Sequence, residues 1–275
     1  MNEPLAPGLH IVATPIGNLR DLSPRAADTL RCADRILVED TRVTAKLLAH
    51  IGAKAPMSRY DDHTPKHERE RIVERLGGEA IVLVSDAGTP LISDPGYKLV
   101  RAARAAGHRV HTVPGPCAAI AALTLAGLPT DRFLFLGFLP AKAKARADAI
   151  AEVADVRATL VLYEGGPRLG DTLLALAAGL GSRDAAVARE LTKLHEECVT
   201  GSLAELAQRY ALPKGEIVIV VGPPLATPAV SDDELDAALE DALDRLSPSR
   251  AAAEVADKLK VPRKRAYARA LERSK

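Results

Sequence analysis

The sequence contains no tryptophan, and aromatic side chains make up only 3% of its 275 residues. Hydrophobic residues still reach 47%, so a core is available, but alanine, valine, leucine and isoleucine have to pack it. Cysteine is scarce too. The sequence has three, Cys32, Cys117 and Cys198, an odd number with no C-x-x-C pair among them. This argues against a disulfide framework and against a structural zinc site. The length suits two domains and a small appendage better than one compact domain.

Long apolar runs and familiar binding motifs are also absent. No segment approaches the roughly 18 to 20 apolar residues that span a bilayer, and residues 1–8 lack the pattern of a secretory signal, so we expect a soluble, cytoplasmic protein without a membrane partner. No G-x-G-x-x-G follows an apolar run, no H-E-x-x-H or other metal-ligand spacing occurs, and no G-x-S-x-G is present. We therefore expect no metal, and a small molecule held mainly by backbone atoms and small side chains.

A continuous apolar run at residues 80–84 is followed at once by a polar loop. The run, A-I-V-L-V, is typical of a strand that is buried on both faces of a parallel sheet. Ligands of open α/β sheets bind at the carboxyl ends of such strands, so we expect a site in this loop, with an ordinary surface connection as the alternative. Its turn formers, hydroxyls and carboxylates are Ser85, Asp86, Gly88, Thr89, Pro90, Asp94, Pro95 and Gly96.

Alternating strand and helix patterns surround this run. In the first half, strands are predicted at residues 9–13, 35–38, 57–60, 80–84 and 109–113. Helical patterns between them favour a parallel sheet. The second half has apolar runs at 133–138, 160–164, 185–191 and 216–221, and its short links predict a partly antiparallel sheet. Small residues at 114–118 form the turn between the fifth strand and an alanine-rich helix. Small side chains at this turn either allow a ligand to approach the backbone or allow the helix to pack closely.

The C-terminal region carries two opposite blocks of charge that cancel in the net charge of +1. After a proline-rich linker at 223–231, residues 232–246 hold seven acidic residues and one basic residue, whereas 249–275 hold nine basic and three acidic residues. Apolar positions at helical spacing predict a small helix-turn-helix-like module, with a solvated helical cap as the alternative. In that module Ala266, Tyr267, Ala270 and Leu271 are expected to face inward, and Arg263, Lys264, Arg265, Arg269 and Arg273 to be free to meet phosphate.

Several short stretches in order along the chain carry a family resemblance. They are residues 9–23, 39–42, 84–96, 114–118, 127–133, 137–140, 189–193 and 214–216. Together they resemble the tetrapyrrole methylase superfamily, and within it the branch that methylates small-subunit ribosomal RNA. One departure is that Gly165, Gly166 and Pro167 stand where that branch usually has Ser and His before an arginine, so that only Arg168 matches there.

The resemblance implies an α/β, two-domain tetrapyrrole methylase-like fold. Residues 1–128 would form a domain with a parallel sheet, 129–222 a second α/β domain with a mixed sheet, 223–231 a linker and 232–275 a helical RNA-binding module. It also implies a homodimer that binds S-adenosylmethionine in the interdomain cleft. The substrate would be the ribose 2′-hydroxyl of a P-site cytidine in the decoding region of 16S rRNA, in the small ribosomal subunit.

Candidate site residues come from the same resemblance. The expected cofactor-binding residues are Pro15, Asp86, Gly88, Thr89, Asp94, Cys117, Ala118, Tyr163, Gly215 and Glu216. The candidate catalytic residues are Glu39, Asp40 and Lys193, with Arg42 and Asp94 also considered; substrate positioning or a dimer contact is the alternative role for each. The expected RNA-binding residues are Arg42, Arg168, Arg263, Lys264, Arg265 and Arg269.

The sequence leaves two other functions open. One is methylation of a tetrapyrrole in cobalamin or sirohaem synthesis, which shares the fold and the cofactor. The basic C-terminal tail and the first loop, T-P-I-G-N at residues 14–18, argue against it. The other is a non-catalytic RNA-binding protein, and the intact Asp86, Gly88 and Asp94 argue against loss of the cofactor site.

Overall fold

The computed structural model describes residues 4–210, 215–224, 231–259 and 261–274. The chain divides into two compact units, Met1–Pro224 and Leu225–Lys275. The strands are β1 (Gly8–Val12), β2 (Arg35–Val38), β3 (Met57–Arg59), β4 (Ala80–Leu83), β5 (Val110–Val113), β6 (Phe133–Phe138), β7 (Thr159–Gly165), β8 (Asp184–Arg189), β9 (Glu197–Ser202) and β10 (Glu216–Val221). The helices are α1 (Pro24–Cys32), α2 (Thr41–Ile51), α3 (Lys66–Arg75), α4 (Tyr97–Ala105), α5 (Ala118–Leu125), α6 (Ala143–Glu152), α7 (Leu169–Leu180), α8 (Leu203–Arg209), α9 (Asp232–Leu243), α10 (Pro248–Leu259) and α11 (Arg263–Arg273). Most of the predicted linker, residues 225–230, lies outside the described residues.

The first sheet is parallel throughout, as predicted, with the strand order β3-β2-β4-β1-β5. Its central strand β4 is buried along its whole length, in agreement with its unbroken apolar sequence. Capping residues and glycine set the ends of the helices. Ser23 caps α1 by accepting the backbone N–H of Ala26, with Pro24 in the first turn, and Gly52 ends α2 with a φ of 69°. The loops after β1, β2 and β4 consequently meet at one edge of the sheet.

The second sheet is mixed, as predicted, with the strand order β6-β7-β10-β8-β9. Strands β6 and β7 are parallel, whereas β10 is antiparallel to β7 and β8, and β8 is antiparallel to β9. Strand β9 was not predicted, because this edge strand, E-C-V-T-G-S, is only half-buried and contains no apolar run. Within the described ranges, no helix has the length and apolar character needed to cross a membrane.

Helix α5 connects the two sheets. It follows the last strand of the first sheet, but Ala122 and Leu123 pack in one hydrophobic cluster with Val161 and Val218 of the second sheet. Ile16, from the loop after β1, belongs to the same cluster. The two predicted α/β domains therefore share a hydrophobic core at this helix, and the boundary between them at 128/129 stays a prediction.

The described part of the C-terminal unit contains α9, α10 and α11, which pack around a core of their own. The inward orientation is confirmed for Ala266 and Ala270, which are fully buried. It is wrong for Tyr267 and Leu271, which are 42% and 43% exposed. Helix α11 approaches its neighbours through its small alanines, so the larger side chains beside them turn outward.

Three of the four arginines of α11 are also not free, contrary to expectation. Arg269 and Arg273 both donate to the carboxylate of Asp236 on α9, and Arg265 donates to Asp232. The three arginines are spaced by four residues and therefore share one face of α11. The two blocks of opposite charge thus pair with each other inside the module. The guanidinium groups of Arg265 and Arg269 are therefore not free to make the RNA contacts expected of them.

Candidate active site

A cavity of about 410 Å³ lies where loops of the first sheet meet strand ends of the second. Its volume falls in the range of about 300 to 1,000 Å³ that is usual for small-molecule sites. The loops after β1, β4, β5 and β8 contribute to it, together with the ends of β6, β7 and β10. Its lining residues are Ile16, Asp86, Ala87, Gly88, Thr89, Ile92, Ser93, Asp94, Ala118, Phe138, Tyr163, Glu164, Gly165, Glu190, Leu191, Lys193, Gly215, Glu216, Ile217 and Val218.

The loop after β4 forms one wall of this cavity. Thr14 and Gly88 exchange two backbone hydrogen bonds, of 2.8 and 3.1 Å, which fasten this loop to the loop after β1. Gly88 has a φ of 81°, and a Cβ at this position would lie 3.3 Å from Ile16 Cγ2. A larger residue would therefore be strained and would crowd the wall. Asp86 is oriented by the backbone N–H of Asp40, which donates to Asp86 Oδ1 at 3.0 Å.

The loop after β8 forms the opposite wall. Lys193 Nζ lies 3.1 Å from Glu190 Oε1 and 3.4 Å from Glu216 Oε2, so one cation is held between two carboxylates. Gly215 has a φ of 101°, and a Cβ there would collide with the carboxylate of Glu190. The loop after β1 packs equally closely, because a Cβ on Gly17 would lie 2.5 Å from Lys193 Cγ. The close packing around Glu190 and Lys193 therefore requires glycine at positions 215 and 17.

Both walls contain strained backbone. The described residues other than glycine that adopt left-handed conformations are Leu91, Ser93, Glu190 and Thr192, with φ of 75°, 64°, 51° and 65°. Such conformations cost on the order of 1 to 3 kcal/mol each and cluster at functional sites. Ser93 and Glu190 line the cavity from opposite walls. The backbone geometry therefore points to these two loops independently of the side-chain chemistry.

Tyr163 links the cavity to the start of α5. Its hydroxyl oxygen accepts the backbone N–H of Ala119 at 3.2 Å and lies 4.0 Å from Cys117 Sγ. Burial, and then the neighbouring Cys117, raises the pKa of Tyr163, so the phenol is protonated at neutral pH. Cys117, the N-cap residue of α5, makes no side-chain capping bond. The start of this helix therefore has backbone N–H groups suited to an anion.

Asp94 is the carboxylate in the cavity with the most perturbed acidity. Burial raises the pKa of Asp94 to about 6, and the negative charges of Glu39, Asp86 and Glu216 add to the increase, while a hydrogen bond with Ser85 opposes it. A half-buried carboxylate in a cleft, whose pKa is shifted by burial and by neighbouring charges, is a typical functional group.

Lys193 has the opposite character. Burial by itself would lower the pKa of Lys193, but its contacts with Glu190 and Glu216 outweigh that effect, and the pKa is raised. The side chain is therefore a cation at neutral pH whose negative partners are Glu190 and Glu216, and it is not suited to accept a proton.

The cavity brings together most of the residues that were predicted to bind the cofactor. Those that line it are Asp86, Gly88, Thr89, Asp94, Ala118, Tyr163, Gly215 and Glu216. Pro15 and Cys117 do not line it, although each is adjacent in the chain to a lining residue, Ile16 and Ala118. Of the candidate catalytic residues, Lys193 lines the cavity and Glu39 and Asp40 do not.

Asp40 is engaged in local structure. Its Oδ1 accepts the backbone N–H of Arg42 at 2.8 Å, and its carboxylate pairs with the exposed guanidinium of the same residue. The hydrogen bonds from Arg42 lower the pKa of Asp40 to about 2, so it is a weak proton acceptor at neutral pH. The contact of Asp40 with Asp86 is made by its backbone N–H and not by its carboxylate. Burial and the charge of Asp86 raise the pKa of Glu39 beside it.

Arg168 supports the end of β7. Its Nη2 donates to Leu139 O at 2.6 Å and to Glu164 Oε2 at 3.1 Å. Glu164 is only 2% exposed and also accepts from Thr172 Oγ1 at 2.7 Å and from the backbone N–H of Gly165. The guanidinium thus compensates a buried carboxylate, and this geometry gives no support to the RNA contact expected of Arg168.

Several lining residues were not singled out from the sequence. Glu190 carried a local signal, because it directly follows a strand within the stretch 189–193. Ser93 had only its place in the polar loop after β4, and the apolar residues had none, because their pattern is that of ordinary core positions. The apolar ones are Ile16, Ile92, Phe138, Leu191, Ile217 and Val218.

These groups fit S-adenosylmethionine. Asp86 and Asp94 can meet its ammonium and sulfonium charges, and the start of α5 can meet its carboxylate. The space in front of Gly88, which a Cβ would narrow against Ile16, allows close approach to the backbone. Within the described ranges, no group of three or more His, Cys, Asp or Glu residues is arranged to hold a metal ion.

Comparisons with known proteins agree with this fold. A family model described as Tetrapyrrole (Corrin/Porphyrin) Methylases matches residues 8–207. The structure of diphthine synthase has a TM-score of 0.62 at 16% identity, over 78% of this chain and 89% of that chain. The structure of uroporphyrin-III C-methyltransferase from Thermus thermophilus, complexed with S-adenyl homocysteine, has a TM-score of 0.55 at 20% identity, over 78% of this chain and 97% of that chain. The fold is therefore that of the tetrapyrrole methylase class of methyltransferases.

Closer relatives narrow this class. A protein of Erythrobacter litoralis named Ribosomal RNA small subunit methyltransferase I is 55% identical over 274 residues, which are 98% of this chain and 96% of the relative. A protein of the same name from Mesorhizobium japonicum is 44% identical over 275 residues, 98% of this chain and 93% of the relative. A second family model, the RsmI C-terminal HTH domain, matches residues 229–274. The chain belongs to the ribosomal RNA small subunit methyltransferase I family.

Proposed function

We propose that the chain is a ribosomal RNA methyltransferase that modifies the ribose 2′-hydroxyl of a P-site cytidine in the decoding region of 16S rRNA. S-adenosylmethionine is its cofactor. The observation that carries the proposal is the cavity, because it collects from separate loops of both sheets the residues that the family resemblance assigns to this cofactor. The name shared by the relatives at 55% and 44% identity supports RNA of the small ribosomal subunit as the substrate class.

The two walls of the cavity have different parts in binding. Asp86, held by the backbone of Asp40 at 3.0 Å, presents a fixed carboxylate to a cationic group of the cofactor. Tyr163 and the start of α5 close the site near the second sheet. Apolar side chains such as Leu191 surround the uncharged part of the ligand. We assign to the cofactor the cavity-lining residues that were predicted for it.

The reaction requires an aligned acceptor oxygen and a place for its proton. When bound, S-adenosylmethionine supplies a methyl group on a positively charged sulfur, which is a good leaving group. Orienting the ribose oxygen can supply up to about 7 to 11 kcal/mol of the barrier reduction. Lys193 is paired with Glu190 and Glu216, so its proposed part is to hold these two carboxylates in place at the cavity wall. Asp94 is suited to accept the ribose proton, because its pKa of about 6 lies close to neutral pH.

The direct test is radiolabelled methyl transfer from S-adenosylmethionine to purified small ribosomal subunits and, in parallel, to a tetrapyrrole precursor. Label on the 2′-oxygen of a decoding-region cytidine, mapped by nuclease digestion and mass spectrometry, is the expected result. Label on the macrocycle alone would assign the chain to the biosynthetic branch of the superfamily. Label on neither substrate would refute the proposed activity under these conditions.

The cofactor site has its own test. Asp86→Ala is expected to weaken S-adenosylmethionine binding at least tenfold in calorimetry, because an oriented carboxylate that meets a cation contributes about 1.5 to 3 kcal/mol. Asp131→Ala, in an exposed loop away from the cavity, is the matched control. Equal affinities of the two variants would remove Asp86 from the site.

We also propose that the chain is a homodimer and acts in the cytoplasm, where ribosomal subunits are present. Helix α5 supports a dimer, because it has no polar face although Ile120 and Leu125 are 45% and 47% exposed. Leu125→Glu is expected to convert dimers to monomers in sedimentation experiments, while Leu174→Glu, at a 60% exposed position on α7, leaves the mass unchanged. A wild-type protein that sediments as a monomer would contradict this assignment.

A further inference from the structure

Helix α11 has three faces with different surroundings. Ala266 and Ala270 point into the core of the C-terminal unit and are fully buried. Arg265, Arg269 and Arg273 lie against the acidic helix α9. The remaining face is directed to solvent, and it differs from the other two in both charge and composition.

The arginine face is saturated by ion pairs. Arg265 Nη2 lies 2.7 Å from Asp232 Oδ1, Arg269 Nε lies 2.8 Å from Asp236 Oδ1, and Arg273 Nη2 lies 2.9 Å from Asp236 Oδ2. The side chain of Asp236 is only 6% exposed, so it depends on these partners. Moving the arginines to a phosphate would leave this carboxylate buried without compensation. The arginine face therefore holds the module together and is not available to RNA.

The solvent face, which we call the outer face of α11, consists of Lys264, Tyr267, Ala268 and Leu271. These residues share one side of the helix because they are spaced three and four apart. Tyr267 and Leu271 are 42% and 43% exposed, and Lys264 and Ala268 are exposed as well.

Two cations border this ring at the start of the helix. Arg263 and Lys264 are both exposed, and neither has an ion pair with another residue in the described part of the chain. The outer face therefore combines one flat aromatic surface with uncompensated positive charge, on a helix whose three other arginines are paired with α9. A base can stack on such a ring while the cations meet the adjoining phosphates.

We propose that the outer face of α11 binds an unpaired segment of the substrate RNA, with Tyr267 stacked on a base and Arg263 and Lys264 on phosphates. The inference rests on the proposed function, which supplies an RNA substrate. Of the RNA-binding residues expected from the sequence in this module, it keeps Arg263 and Lys264, and it replaces Arg265 and Arg269, which are paired with α9, by Tyr267. It also limits the phosphate contacts of this face to about two, which makes its salt dependence measurable.

The first test compares full-length variants for binding to a fluorescein-labelled, single-stranded RNA of the decoding-region sequence. Tyr267→Ala is expected to bind about 5- to 100-fold more weakly, as the loss of one stacked base implies. Tyr267→Phe keeps the ring and is expected to bind like the wild type. Calorimetric affinity for S-adenosylmethionine should be equal in all three proteins, which shows that the rest of the chain is folded.

Salt dependence separates the two charged faces. Each phosphate contact to a single strand adds about 0.7 to the slope of log affinity against log salt concentration. The double variant Arg263→Ala with Lys264→Ala is therefore expected to lower that slope by about 1.4. Arg269→Ala should lower the melting temperature and leave the slope unchanged, because this guanidinium is already paired with Asp236.

Three results would overturn the inference. They are equal RNA affinity of Tyr267→Ala and the wild type, an unchanged salt slope in the double variant, and a loss of affinity seen only with intact small subunits, which would indicate a protein partner. Methyl transfer to subunits by the wild type separates this failure from failure of the proposed function. If transfer occurs and the variants bind RNA normally, the proposed function stands and the outer face has another role.

Discussion

Neutralising Asp94 should stabilise the protein at neutral pH. The pKa of this carboxyl is raised from 3.8 to about 6 in the folded state, chiefly by burial. A difference of about 2 units between the unfolded and folded states corresponds to about 3 kcal/mol of destabilisation once the group is ionised. Because Asp94 is only half-buried, solvent screening reduces this to about 1 to 2 kcal/mol. The variant Asp94→Asn removes that cost while keeping the size of the side chain.

The pH dependence gives the prediction its sign. Between pH 4 and 6 the folded state holds a proton that the unfolded state has lost, so the contribution of Asp94 to the free energy of unfolding falls as the pH rises through this window. Above pH 7 both states are ionised and the full cost is present. The advantage of Asp94→Asn should therefore be largest above pH 7 and fall to about one third at pH 4.5.

Differential scanning calorimetry at pH 4.5 and pH 7.5 measures both quantities. At pH 7.5 we expect Asp94→Asn to melt about 2 to 8 °C above the wild type, and its methyl transfer to fall, since the proposed proton acceptor is gone. Asp131→Asn, at an exposed loop position, controls for the general effect of one negative charge fewer. A variant that melts below the wild type at pH 7.5, or a difference that does not change with pH, would refute the reasoning.

Three further changes should have measurable effects. Gly215→Ala places a side chain at a φ of 101° and should cost about 1 to 3 kcal/mol, seen as a lower melting temperature and weaker S-adenosylmethionine binding; an unchanged protein would show that this wall can relax. Tyr163→Phe removes the acceptor of the Ala119 N–H and should lower the free energy of unfolding in urea by about 1 kcal/mol; no loss would mean that water replaces the hydroxyl. A hydrogen bond from Arg269 lowers the pKa of Asp236, so its contribution is present at neutral pH and lost below about pH 4. Asp236→Asn should therefore remove part of the acid sensitivity of the C-terminal unit, measured by circular dichroism between pH 3 and 7, and equal acid sensitivity would contradict the role of this ion pair.

Local sequence pattern predicted most of the first sheet. The apolar run at β4, the cap at Ser23 and the stop at Gly52 are signals carried by adjacent residues, and the structure agrees with each of them. The same holds for the mixed second sheet, whose apolar strands are joined by short links. The loop after β4 was also recognised as a site loop, because small and polar residues accumulate where that strand ends.

The opposite wall of the cavity was harder to predict. Glu190 and Gly215 are distant in sequence from Gly88, and only the pairing of β8 with β10 brings the first two together. Strand β9 has no apolar period of its own, because it lies at the edge of the sheet. Helix α5 likewise packs on the second sheet, where Ala122 and Val218 belong to one hydrophobic cluster. No local sequence pattern indicates which of two sheets an alanine-rich helix will cover.

The C-terminal unit shows the division most directly. The sequence by itself determined that 232–246 is acidic, that 249–275 is basic and that both regions form helices. The tertiary structure decided that Arg269 faces Asp236 while Tyr267 faces solvent. Helix formation depends on residues within one or two turns of each other, whereas the pairing of charges depends on how separate helices pack. The sequence therefore indicated RNA binding by Arg263, Lys264, Arg265 and Arg269 alike, whereas the three-dimensional contacts left the first two for the proposed surface and paired the other two with α9.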